Sequence, residues 1–97
     1  MATYIVLGNY TDQGIKNVAD TLKRTDAVKA MVQKLGVTLK ETYWTLGGYD
    51  LVAIFEAPDD AAITAVGLSI GKLGNVRTQT LRAFTAADMN GILGKVV

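Results

Sequence analysis

The chain contains no cysteine and no histidine among its 97 residues. The first absence excludes disulfides, thiolate metal sites and a cysteine nucleophile. The second removes the usual haem ligand, the commonest metal ligand and the most frequent acid/base at neutral pH. Any chemistry must use carboxylates, Lys, Arg, Tyr, Ser/Thr or a bound cofactor, and no metal site is expected. An excess of charge is also missing: ten Lys and Arg face nine Asp and Glu, for a net charge of +1. With the two signs interspersed, attraction to nucleic acid or an anionic membrane has no source. No apolar run approaches the ~20 residues that cross a bilayer. The opening MATYIVLGNY lacks the basic flank and cleavage site of a signal peptide, so a cytoplasmic location is expected. Gly67, Gly71 and Gly74 follow no nucleotide-binding pattern and there is no P-loop. No cofactor is expected.

What is present suits one domain spanning residues 1–97, because 49% hydrophobic residues supply a core and 20% charge is too little for disorder. The β-branched and aromatic run Thr3–Tyr10 predicts a first strand. Thr11 or Asp12 then caps a helix with Ile15, Val18 and Leu22 inward. The next apolar set, Val28, Met31, Val32 and Leu35, is out of phase with it. A break near Lys23, Arg24 and Thr25 is therefore expected, with Thr25 capping a second segment and Gly36 ending it. Strands follow at Val37–Leu46 and Leu51–Ala57. Pro58, Asp59 and Asp60 open a helix with Ile63, Val66, Ile70 and Leu73 on one stripe, in which Gly67 and Gly71 could admit a close backbone. Gly74 and Asn75 stop it before a strand at Val76–Phe84. Thr85 and Asp88 form a capping box for a tail helix carrying Met89, Ile92, Leu93 and Val96.

The order βαββαβ plus a short C-terminal helix is that of an α+β, ferredoxin-like fold with a four-stranded antiparallel sheet. Right-handed crossovers are expected to set strands one and three parallel, side by side, at its centre. Both are apolar on two faces: Tyr4 and Val6 against Ile5 and Leu7, and Leu51, Ala53 and Phe55 against Val52 and Ile54. Strands two and four carry Lys40, Glu41, Arg77, Gln79 and Arg82, as edges do. Two helices cover one face of such a sheet. The other would expose several hundred Å^2 of apolar surface, which soluble monomers rarely do, so a homodimer or larger homo-oligomer is expected.

The stretch WTLGGYD (Trp44–Asp50) joins strands two and three. Its glycines offer the positive φ angles a tight hairpin needs. Structurally, Asp50 would bond loop amides and Tyr49 would pack over the turn. Functionally, Tyr49 and Asp50 would close a pocket, with Asp50 orienting a proton transfer. Trp44, the sole tryptophan, reads as a core or interface aromatic, or as a cavity wall with Thr42 and Tyr4. Arg82 reads as a salt-bridge partner of Glu41 or Glu56, or as a clamp for an anionic substrate. Lys23 and Arg24 form a solvated face or an anion site near a helix start. Glu41 and Glu56 share a parity and could meet across the hairpin. Asp12, Asp59 and Asp60 suit helix starts.

YWTLGGYDLVAIFEAPDD, with TYIVLGNYTDQGI and GNVRTQTLRAFT, resembles the GYD-domain family, whose tripeptide stands here as Gly48, Tyr49 and Asp50. The resemblance runs from about Thr3 to Thr85. It implies the dimeric α+β barrel shared with cofactor-free monooxygenases, muconolactone-type isomerases and ligand-sensing domains. It brings no catalytic residues. Members often have proline where this chain has Leu22, implying a milder helix break. Three functions stay open: a homo-oligomeric small-molecule binder, a cofactor-free monooxygenase or isomerase acting on a small cyclic or aromatic compound, and a pure assembly module. In the second, Trp44, Tyr49 and Arg82 would hold the substrate.

Overall fold

The computed structural model describes every residue from Met1 to Val97. Its elements are β1 (Ala2–Tyr10), α1 (Asp12–Lys16), a 3-10 turn (Val18–Asp20), α2 (Thr21–Gln33), β2 (Thr38–Trp44), β3 (Leu51–Ala57), α3 (Asp60–Lys72), β4 (Val76–Ala83) and α4 (Ala86–Leu93). The four strands form one sheet in the order β2-β3-β1-β4. The edges are therefore the charged strands, as the sequence implies.

Every strand pair is antiparallel, β1 with β3 included. The expected parallel β1–β3 pair is thus corrected. The helical return after β1 makes β2 parallel to β1, and the hairpin then reverses β3 against both. The register sets Tyr4 opposite Phe55, Val6 opposite Ala53 and Gly8 opposite Leu51. It places Thr42 on Ala53 and Trp44 on Leu51, after an irregularity between Leu39 and Glu41. Side chains alternate across a strand, so all these residues share one face.

The helices pack on that face. Its core is Tyr4, Val6, Leu39, Phe55 and Ala57 from the strands, Val32 from α2, Val37, and Ile63 and Val66 from α3. The opposite face shows Ile5, Leu7, Val52 and Ile54, half-buried only by their neighbours, with Tyr43 and Leu81 exposed beside them. Only 11 of 97 residues are buried, nine of them the hydrophobic core on the helix side of the sheet.

The helix break lies upstream of Lys23–Thr25, at Asn17–Asp20. Thr25 sits inside α2, its hydroxyl donating to the Thr21 carbonyl at 3.0 Å. The inward stripe differs accordingly. Ile15 and Leu22 are 51% and 64% exposed, and Val18 is exposed as well. Polar docking orients α1 instead: Thr11 and Gln13 bond the loop after α3, and Gly14 is the buried residue. The other caps match expectation. Asp59 accepts from the Ala62 amide at 2.9 Å, Gly36 has φ 72°, and Thr85 and Asp88 form the capping box.

Candidate functional site

Between the sheet and the helices lies a cavity of 190 Å^3. Its floor is the helix-facing side of β1 and β3 around Val6, Gly8, Ala53 and Phe55, and its roof comes from α2 through Val28 and Met31. Ile70, Leu73 and Val76 close one side, Thr42 on β2 the other. The helix break makes room for it, since α2 starts afresh at Thr21 and presents Thr21, Arg24 and Thr25 to the cavity. Small residues in the floor do the same: at Gly8 a Cβ would meet Val76 at 3.0 Å.

Polar groups gather at one end. Thr21 Oγ1 accepts from the Trp44 indole N–H at 3.1 Å and shares a 2.9 Å hydrogen bond with the Tyr10 hydroxyl. The Arg24 guanidinium lies 5.9 Å from the Tyr10 ring centre. It donates to the Asn17 carbonyl at 2.9 Å and the Gly14 carbonyl at 3.3 Å, satisfying groups freed by the break. Thr42 and Arg24 thus line the cavity, and Trp44 touches it through Thr21. Lys23 is exposed and takes no part in it.

Tyr4 and Arg82 meet elsewhere, at the far end of the same sheet face. Tyr4 is buried and donates to the Asp60 carboxylate at 2.5 Å. That hydrogen bond, followed by burial, raises the Tyr4 hydroxyl above the ordinary tyrosine value. Arg82 stacks between the Tyr4 and Phe84 rings, 5.5 and 4.5 Å from their centres, and donates to the carbonyls of Thr3 and Ala83. It pairs with neither Glu41 nor Glu56, because its strand turns it toward the helix side. The ion pair of the chain is instead Lys40 with Glu56, at 3.9 Å. Nor do Glu41 and Glu56 meet. Glu41 accepts from the Tyr43 hydroxyl, which raises Tyr43 above its usual value.

In the WTLGGYD stretch the Thr45 amide donates to the Asp50 carbonyl at 2.9 Å, closing a four-residue loop. Gly47 takes φ 103°, whereas Gly48 needs no such angle. Asp50 works across strands: its amide donates to Gly8 and its carboxylate accepts from the Tyr10 amide, both at 2.9 Å. Tyr49 reaches over the uncovered face to Gln79 on β4, at 3.0 Å.

Gly14 is a residue that sequence reasoning missed. A Cβ there would lie 1.9 Å from the Asn75 carbonyl oxygen. The expected close approach at Gly67 and Gly71 does not occur: the nearest atom to a Gly67 Cβ is 3.8 Å away, and Gly71 meets open space. Nothing in a helix's own periodicity marks which glycine faces a distant loop. No three Asp or Glu side chains come together as a metal cluster. No helix is long and apolar enough to cross a membrane.

A four-stranded antiparallel sheet, helices on one face and a loop ending in Gly-Tyr-Asp define the class, and comparison with known proteins agrees. The GYD domain family model matches residues 4–93. This chain belongs to the GYD domain family. It is 34% identical over 90 residues to a Thermus thermophilus protein named "Glutamine synthetase and cystathionine beta-lyase binding protein", covering 92% of this chain and 95% of that one. The crystal structure of TTHA0845, also from Thermus thermophilus, is similar, with a TM-score of 0.56 and 28% identity. That match covers 89% of this chain and 96% of the other.

Proposed function

We propose that this protein is a homo-oligomeric interaction module that binds a cytoplasmic metabolic enzyme. The observation that carries the reading is the uncovered sheet face, where Ile5, Leu7, Val52 and Ile54 form a contiguous apolar centre. A second copy fits it best, since a two-fold axis would set the same patch against itself and bury both. The Thermus relative supports the enzyme partner. Its name assigns it glutamine synthetase and cystathionine beta-lyase, and likeness over nearly the full length of both chains makes enzymes of these kinds the partners to try.

Sedimentation equilibrium at micromolar concentration tests the self-association. The wild type is expected as a dimer or larger, and Ile54→Lys or Leu7→Lys as a folded monomer. A wild type that sediments as a folded monomer overturns it. Calorimetric titration with glutamine synthetase and cystathionine beta-lyase from the same organism tests the partner. Saturable binding of at least one supports it, and no heat with either removes it.

A second reading, small-molecule binding, is favoured by the 190 Å^3 cavity with its apolar floor and polar end. The two readings are compatible, because the cavity and the uncovered face lie on opposite sides of the sheet.

A further inference from the structure

We propose that the cavity between α2 and the sheet takes a compact hydrophobic carboxylate, its ring or branched body inside and its carboxylate on Arg24. This rests on the small-molecule reading of the cavity and names the ligand class.

Size sets the first limit. An apolar cavity of ~150 Å^3 holds a benzene ring, so 190 Å^3 is enough to seat one ring with a small substituent. The walls set the second, with Val6, Met31, Phe55 and Ile70 offering apolar contact to the body. Charge sets the third. Arg24 is the one ionisable residue in the lining, so the only fixed charge at the cavity favours an anion. Its guanidinium is held by two backbone carbonyls and has no carboxylate within ion-pair distance. The planar fork retains further N–H donors for a carboxylate, and being pre-positioned it loses little freedom on binding.

Trp44, hydrogen-bonded to Thr21 at this end, makes binding visible. The probes are benzoate and its neutral isostere benzamide, followed by Trp44 fluorescence and by amide chemical shifts of residues lining the cavity. Benzoate is expected to bind about tenfold or more tightly than benzamide, as a charge-assisted hydrogen-bonded pair would give. Arg24→Gln should remove that preference, weakening benzoate about tenfold while leaving benzamide within about twofold. Arg24→Lys, which keeps the charge without the fork, should fall between. The comparison of the two probes on wild type needs no variant, so misfolding of Arg24→Gln would leave the test intact. Ala53→Leu should fill the cavity and abolish both. Equal binding of the two probes overturns the carboxylate assignment and leaves the cavity reading standing. No shift of cavity amides with either probe at millimolar concentration overturns the cavity reading itself, and with it the ligand class. Undiminished binding by a folded Ala53→Leu variant overturns both.

Discussion

Gly14 and Gly71 look alike in the sequence, each a helical glycine, yet their surroundings give them opposite consequences. A methyl at Gly14 would drive into the Asn75 carbonyl, and backbone on both sides cannot yield cheaply. Gly14→Ala is therefore expected to cost about 1–3 kcal/mol, read as a lower urea midpoint. At Gly71 nothing lies within 4 Å, so Gly71→Ala should raise stability by roughly 0.5–1 kcal/mol through helix propensity and lost unfolded-state freedom. Asp50 is separable in the same way. Its carboxylate accepts from the Tyr10 amide, and an asparagine oxygen could do so too. Asp50→Asn should stay close to wild type in urea unfolding. Asp50→Ala leaves that donor without its partner and should cost about 1–3 kcal/mol.

Among the elements, α1 and α2 show how far apolar periodicity can mislead. Ile15, Val18 and Leu22 have helical spacing, but hydrogen bonds from Thr11 and Gln13 to residues 73–75 orient α1 and leave that stripe outward. Of the later set, Val28, Met31 and Val32 do pack inward, whereas Leu35 lies past the end of α2 and is exposed. The tail helix α4 makes at most marginal contact with the rest of the fold, so its capping box carries much of its stability. The Thr85 backbone amide, then its hydroxyl partnership, holds Asp88 below the usual carboxylate value. A carboxylate lowered in the folded state contributes stability above its unfolded value of 3.8, and loses it as pH falls through the folded one. The α4 amide signals are accordingly expected to collapse in acid below about pH 3.8, before those of β1 and β3. In Asp88→Asn that pH dependence should vanish.

Across the whole molecule, the apolar content exceeds what one copy can hide. The domain is only 18 Å thick along its shortest axis, with helices on one face and Ile5, Leu7, Val52 and Ile54 on the other. If the stable species is an assembly through that face, unfolding must depend on mass action. The wild-type melting temperature should rise with protein concentration over a roughly hundredfold range. That of Ile54→Lys should be lower and independent of concentration. A concentration-independent wild type would separate the apolar face from self-association.

Much of this was legible in the residues because it is local. Alternation in TYIVLGNY and LVAIFEA marks central strands apolar on both faces. Asp59, Thr85 and Gly36 mark helix ends, since caps and left-handed turns depend on immediate neighbours. The WTLGGYD hairpin was readable for that reason too. What pattern could not decide is where separate elements meet. Gly14 lodged on Asn75, Tyr49 reaching Gln79, and a cavity joining Arg24 to Thr42 and Ile70 all relate residues far apart in the chain. Periodicity orients a side chain only about its own helix or strand. The packing of one element on another sets which distant groups share a space, and that arises only when the chain is folded.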